Sequence, residues 1–587
     1  MRSRKEILFR VRQELGNLAM LMAPPAPRRD IAPGSRCAAG PDVQGDVAAI
    51  ADSILAHRFP LLGVTIETGD TIDWRRDYLH GVSSGTAYFR RVPYLDFQSV
   101  GDHKVVWELN RHQHLPLLAQ AFQATGRREY LEEAFREIGS WLEANPFLRG
   151  INWASALEVA FRALSWGWFW RSAGEHMPEA LRRRFLTGLY RHGRFLELNL
   201  SIYFSPNTHL LGEAVALHAL GAWFPEWAEA ERWRDTGGRI VAEEMQRQVR
   251  GDGCHFEQSV YYHVYALDFF LLHRMLAGGT PEYDERLRRM GEFLHAVMGP
   301  SGTLPLIGDD DGGRLFHPYG ERMEFGRATM ASCSALFGGR SGFESRLFAD
   351  SGFAVMTSGG AHIVVKAGGF GEGSGGHSHS DVLSLVVRAG GREILIDPGT
   401  FTYVADPEER ERFRGAAAHN TVRIDGRDQA VAAGPFRWRD KPAAKVGEWA
   451  TSAERDYLDA TCVYGGFLHR RRILFLKPSR LAIVDTIEGP DGEHCVEQFW
   501  HPGSAEEERR FSFSAPPERV EGWRSRAFAS REPAPVVRVT RRGGLPVHLA
   551  AVVDLSETPE ARTVEVSADG CVVRWGAEVV KLEAGWR

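Results

Sequence analysis

Side chains able to do chemistry gather in a few short stretches of this 587-residue chain. In GEGSGGHSHSDVLSLVV, residues 371–387, His377, His379 and Asp381 stand two residues apart between a glycine-rich loop and an apolar run. Histidines at that spacing on an extended segment point the same way. The stretch therefore reads as part of a metal site, as a general base with a neighbour, or as a hydrogen-bonded polar turn entering a strand. Further along, ILIDPGTF and AAAHNTV bring Asp397 and His419. His379, Asp397 and His419 together offer the imidazole and carboxylate donors that zinc takes.

Three other stretches carry candidates. In SPNTHLLGEAVALHALG, Asn207 precedes a helical pattern in which His209 and Glu213 are four apart, hence on one face. One reading is an Asn cap followed by a surface His–Glu pair. The other is an amide and an imidazole at a helix N-terminus, groups that suit a carboxylate. DGCHFEQSVYYHVYALDFF crowds Tyr261, Tyr262, His263 and Tyr265 into one helical start. Helical spacing cannot turn all four inward, so some pack, and one tyrosine is a candidate proton donor or acceptor. WELNRHQHL and NWASALEVAFR add Trp107, Asn110, Arg111, Trp153, Glu158 and Arg162. Glu158 and Arg162, four apart, read first as a structural ion pair. Trp107 and Trp153 read either as core or as platforms on which sugars stack.

The elements that must position these groups change character along the chain. Residues 1–45 hold a short helical pattern with Ile7, Leu8, Val11 and Leu15 on one stripe, then a connector rich in Pro, Gly and Ala. From 46 to 342 the apolar period is helical. In REYLEEAFREIGSWLEANP, for example, Leu131, Phe135, Ile138 and Leu142 form a stripe that Asn145-Pro146 stops. Many such segments joined by short loops predict helical hairpins packed in a ring or bundle. From 343 to 587 the period becomes two, in short Val/Ile/Leu runs between turn residues, with Lys477-Pro478-Ser479 as one hairpin turn. Few helices separate these runs, so they predict antiparallel sheets forming a sandwich. The fold class is α+β in separate domains, and clefts form at such junctions.

Composition excludes several functions. The formal charge is −5, and no Lys/Arg cluster alternates with aromatics, so nucleic acid is not an expected partner. Six scattered cysteines without a C-x-x-C fit reduced, mostly buried thiols. No apolar run reaches the ~18 residues of a spanning helix. The first 22 residues read as an amphipathic helix rather than a signal peptide. That favours a cytoplasmic location, with the periplasm as the alternative; oligomeric state is left open.

Taken together, WELNRHQHL, NWASALEVAFR, NTHLLGE, DGCHFEQSVYYHVY, HSHSD, ILIDPGTF and HNTV resemble the heparinase II/III polysaccharide lyases, in that family's order over residues 100–425. The resemblance implies an incomplete α/α toroid followed by an antiparallel β-sandwich. It also implies cleavage of uronate polysaccharides, most of all heparan sulfate or a related glycosaminoglycan, by β-elimination to 4,5-unsaturated products. Residue by residue it assigns Asn207 to neutralising the uronate carboxylate and Tyr262 to protonating the departing O4. It makes His377 the base or a further carboxylate contact, depending on epimer. His209, Glu213, Trp107, Asn110, Arg111, Trp153, Glu158 and Arg162 become substrate-binding candidates. It places one structural Zn2+, with Ca2+ or another divalent ion as alternatives, at His379, Asp397 and His419, leaving Asp381 a supporting hydrogen-bond role. Competing readings are a lyase for alginate or another bacterial exopolysaccharide, a metal-dependent hydrolase on His377 and His379, and a non-catalytic polysaccharide-binding or assembly protein.

Overall fold

Four helices of the first half are buried almost all round: His114–Thr125, Ala156–Ala173, Thr208–Trp223 and Val260–Ala277. A helix apolar on every side must be surrounded by protein. Each is followed by a helix with a more polar outer face: Glu129–Ala144, Glu179–Asn199, Ala230–Gln248 and Pro281–Met298. Each buried helix packs against the next buried one as well as its own hairpin partner. The result is an inner and an outer layer, an incomplete α/α toroid. Because an antiparallel outer helix separates consecutive inner ones, the inner helices run the same way and their N-termini meet at one end of the ring.

The computed structural model describes residues 3–28, 31, 46–339, 341–559, 562–567, 570–575 and 578–583. Most of the expected connector, 29–30 and 32–45, lies outside the described residues, as do Cys37 and the Cys571 side chain. The other four cysteines are free, and three of them are buried. The expected N-terminal helix is present at Arg4–Met22, but its polar side faces the protein. Gln13 and Asn17 are its buried residues, and Ile7, Leu8, Val11 and Leu15 are exposed. The inward face is fixed by a reciprocal amide pair between Asn17 and Asn199 (2.8 and 2.9 Å) and by Gln13 Nε2 donating to Leu198 O (3.2 Å).

Helices give way to strands after Phe337. A five-stranded antiparallel meander, from Arg346–Phe348 to Arg392–Leu395, packs with a four-stranded sheet against a six-stranded one, and their inner faces share one apolar core. The six-stranded sheet runs from Ala443–Thr451 at one edge, through the long strands Arg455–Tyr464, Phe467–Leu476 and Arg480–Glu488, to Phe511–Phe513 at the other. Lys477-Pro478 makes the expected tight turn between two of them, with a cis peptide.

One buried ion pair ties this sandwich to the loops that matter. Asp485 takes Arg471 Nε and Nη2 (2.7 Å each), and His469 and Gln498 complete its shell. Arg471 Nη1 then donates to Leu383 O (2.8 Å), just after the HSHSD stretch, and to Asn420 O (2.5 Å), just after His419. Replacing Arg471 with Met strands a buried carboxylate and frees both loops. Urea unfolding should show a loss of about 3–5 kcal/mol; an unchanged midpoint would mean the pair contributes nothing to holding the sandwich.

The candidate active-site cleft

The inner-helix N-termini and the sandwich enclose a cleft of about 940 Å³. The N-terminal end of Thr208–Trp223 brings Asn207 and His209, that of Val260–Ala277 brings Tyr262 and Tyr265, and that of Ala156–Ala173 brings Glu158. Helix His103–Asn110 contributes Lys104 and Trp107, with Arg111 just beyond it; the sandwich contributes His377, Tyr403 and the loop 433–438. Helix N-termini carry partial positive charge, which favours an anionic ligand at this end.

Tyr262 and His377 come from opposite halves of the molecule and stack face to face, ring centroids 3.6 Å apart at 17°. The Tyr262 hydroxyl lies 3.2 Å from Asp311 Oδ2 and 3.2 Å from the Tyr403 hydroxyl. Burial, then the nearby Asp311 and Tyr403, hold the Tyr262 phenol well above its ordinary pKa, so it stays protonated. His377 sits between two carboxylates: Nδ1 is 3.1 Å from Asp309 Oδ2 and Nε2 is 3.4 Å from Glu257 Oε2. Burial alone would lower its pKa, but Glu257 and Asp309 outweigh this and raise it.

Glu257 also reaches the other wall. Its Oε1 accepts from Thr208 N (3.1 Å) and Thr208 Oγ1 (2.7 Å), so one carboxylate fixes both His377 and the helix start beside Asn207. Asn207 caps that helix, its Oδ1 accepting from His209 N (3.1 Å). The cap leaves the amide Nδ2 without a protein acceptor among the described residues, at a position lining the cleft. His209 lines the cleft too; burial and then the His377 charge push its pKa down to about 4, keeping it neutral. Asn207 is thus the expected helix cap, and its amide still faces the cleft.

The remaining candidates divide. Trp107 lines the cleft, its indole Nε1 donating to Ile151 O (3.0 Å). Arg111 and Glu158 line it as a bidentate pair (2.7 and 2.8 Å), which displaces the expected Glu158–Arg162 pair. Arg162 instead donates to His192, Asn110 O and Asn152 O inside the ring. Asn110 is held by Trp74 O, Val106 O and the Trp141 indole. Trp153 is core, packed on Phe147 and His192. Glu213 is buried away from His209 and accepts from Ser201 N and Oγ (2.6 Å each); burial pushes its pKa up to about 8. Those four do not line the cleft; each lies on a different element and is buried in the toroid's packing. Of the aromatic cluster, Tyr261 donates to Gly313 O and His263 bonds His255 N and Met290 O, so both pack.

In the HSHSD stretch His377 and His379 point the same way, onto Asp309, while Asp381 turns elsewhere. His379 Nε2 is 2.9 Å from Asp309 Oδ1, and Asp381 pairs with buried Lys366. His419 Nδ1 is 2.8 Å from Asp397 Oδ2, and the His379 and His419 rings lie 5.2 Å apart. His379 Nδ1 and His419 Nε2 are buried and have no hydrogen-bond partner among the described residues. Two neighbouring imidazole nitrogens without acceptor or donor, beside a carboxylate, fit the donor set of a divalent ion. Asp397 is turned onto His419 instead, and among the described residues no three His, Cys, Asp or Glu converge as a metal-binding group.

The sequence reading missed the residues that hold the site together. Glu257 lay unassigned inside CHFEQS, and Asp309 and Asp311 lie in GDDDGG, an acidic triplet between glycines that was a visible signal. Tyr403, Arg410 and the 433–438 loop had none.

A toroid whose inner-helix ends are capped by a β-sandwich is a two-part scaffold with its cleft at the junction. The heparinase II/III N-terminal model matches residues 28–315 and the heparinase II/III-like C-terminal model residues 340–587; the chain belongs to this family. It is 26% identical to the heparin-sulfate lyase of Pedobacter heparinus over 448 residues, which cover 69% of this chain but 64% of the relative. A heparin-sulfate lyase of Bacteroides stercoris is 24% identical over 76% of this chain and 68% of its own. Among solved structures, heparinase III superposes with TM-score 0.72 at 17% identity, covering 97% of this chain and 95% of that one. The heparan sulfate lyase of Pedobacter heparinus gives 0.58 at 20% identity, covering 99% and 94%.

Replacing Glu257 with Gln keeps an acceptor for Thr208 but removes the charge facing His377. Turnover of the protein's substrate, kcat/KM, should fall by about tenfold or more with thermal stability little changed. Equal kcat/KM would remove Glu257 from the working site.

Proposed function

We propose that the protein is a lyase that cleaves uronate-containing glycosaminoglycan, of the heparan sulfate type, by β-elimination. The observation that carries this is the Tyr262–His377 stack, in a cleft that also presents the free Asn207 amide. The substrate class follows the heparin-sulfate lyases that the chain resembles.

The difficulty in the reaction is removing the C5 proton next to a carboxylate that is already anionic. Donors aimed at that carboxylate lower the cost of the enolate-like intermediate. Asn207 Nδ2, with neutral His209 and the helix N-terminus behind them, is suited to that task. Tyr262, held as a phenol, protonates O4 as the C4–O4 bond breaks, and the electron pair from C5–H forms the C4–C5 double bond. For one epimer His377 takes the C5 proton; for the other His377 holds the carboxylate, and the Tyr262 oxygen takes the C5 proton as its own proton passes to O4. Arg111, Glu158 and Trp107 line the approach. A divalent ion, zinc by donor type, would be held by His379 and His419 with Asp397, and would brace the loop that presents His377.

Incubation with heparan sulfate, heparin, hyaluronan and alginate should give ultraviolet absorbance from the unsaturated uronate with the first two. No rise with any of the four sinks the proposal. Tyr262→Phe should lower kcat by about 10²–10⁴-fold with unchanged circular dichroism; retained turnover would exclude that phenol. Elemental analysis of the purified chain should find a divalent metal that His379→Ala with His419→Ala lacks; equal metal content in both would remove the ion from these residues.

A further inference from the structure

The helix Arg4–Met22 carries an apolar stripe that nothing among the described residues covers. Ile7, Leu8, Val11, Leu15, Leu18 and Met22 stand 41–82% exposed, and their three- and four-residue spacing makes one continuous outward face. The helix cannot roll to bury it. Asn17 and Asn199 exchange amide hydrogen bonds, Gln13 donates to Leu198 O, and Gly16 sits so close to Leu198 that a Cβ there would lie 2.6 Å from its Cδ2.

Charge on the outward side has one sign. Arg4, Lys5 and Arg12 are exposed. The two acids of the helix are engaged elsewhere, Glu6 with Arg10 (2.8 Å) and Glu14 with Arg90 (2.8 Å). We propose that this face seats the protein on an anionic lipid surface, the helix lying in the headgroup layer with its apolar stripe toward the acyl chains and its basic side chains on the headgroups. No helix among the described residues is long and apolar enough to cross a membrane, so the attachment is peripheral. A second copy fits this face less well. Paired in parallel, the stripes would bring Arg4, Lys5 and Arg12 against their own copies; paired antiparallel, these would meet the 18–22 end, which carries no acid. The opposite side of the helix gives Phe9, Arg10 and Gln13 to the cleft, so the seated protein would hold its cleft rim close to the lipid. Leu8 and Leu15 do not line the cleft, so the inference stands apart from the lyase reading.

The test is sedimentation of the full chain with vesicles of phosphatidylcholine, with and without phosphatidylglycerol. The bound fraction should rise by about tenfold with the anionic lipid and fall in high salt. Leu8→Glu with Leu15→Glu should abolish binding while circular dichroism and thermal unfolding stay as in the parent, since both side chains are solvent-exposed. Arg4→Ser, Lys5→Ser and Arg12→Ser together should remove the preference for anionic lipid. The proposal is overturned by absence of binding to anionic vesicles, by binding that the glutamates leave intact, or by a dimer in light scattering that the glutamates dissolve in a protein that ignores vesicles.

Discussion

A single buried carboxylate, Asp309, holds the two halves of the cleft in register. Arg410 forks onto it, Nη1 to Oδ1 at 2.5 Å and Nη2 to Oδ2 at 2.8 Å, while His377 and His379 approach the same two oxygens. Burial of a carboxylate is costly unless its lone pairs are filled. Here Arg410 and the two imidazoles overcome the burial penalty and hold the group well below the usual carboxylate range. The backbone is tied as well. Asp309 N donates to His377 O (2.9 Å), and Asp309 O accepts from Ser259 Oγ (2.7 Å), the same hydroxyl that caps the Tyr262 helix. Tyr262, His377 and His379 are thus all referred to one residue of the helical region. Arg410 also binds Pro435 O, so the loop over the cleft depends on it too.

Around that anchor, cations and anions are paired rather than free. Lys104 lies 2.8 Å from Glu108 and 3.2 Å from Asp311, and Arg111 is taken by Glu108 and Glu158. Among the lining side chains Arg10, Arg90, Lys104, Arg111 and Arg437 still outnumber the acids Glu158 and Asp311, and the gathered inner-helix ends and amides such as Asn207 Nδ2 add to that pull on an anion. A chain of formal charge −5 can thus still present one end that favours anions.

Local patterns made the architecture legible, since 3.6- and 2-residue periods report directly on which face each element buries. The change of period near residue 343 falls in the stretch between the last helix of the ring, ending at Phe337, and the first strand, Arg346–Phe348. Asn207, Tyr262 and His377 could be named because each sits in a dense local motif. Arg162 and Glu213 could not be assigned from spacing, because spacing gives a shared helical face but not what that face meets. Their partners His192 and Ser201 are set by the ring's closure. Asp309 was hidden for the same reason: its partners lie 68 to 101 residues away. The outward stripe of the first helix shows the converse, where an amphipathic period is real but its apolar side faces solvent.

The margins of the six-stranded sheet bear on how the molecule behaves when crowded. One margin is Phe511–Phe513, too short to template a partner. The other, Ala443–Thr451, is long enough, but its register slips between Val446 and Glu448, and Lys445 and Glu448 stand along it. A bulge and charges on an outer strand twist its open hydrogen bonds away from a flat neighbour. Crowded copies of the chain therefore meet at margins blunted against strand-to-strand aggregation.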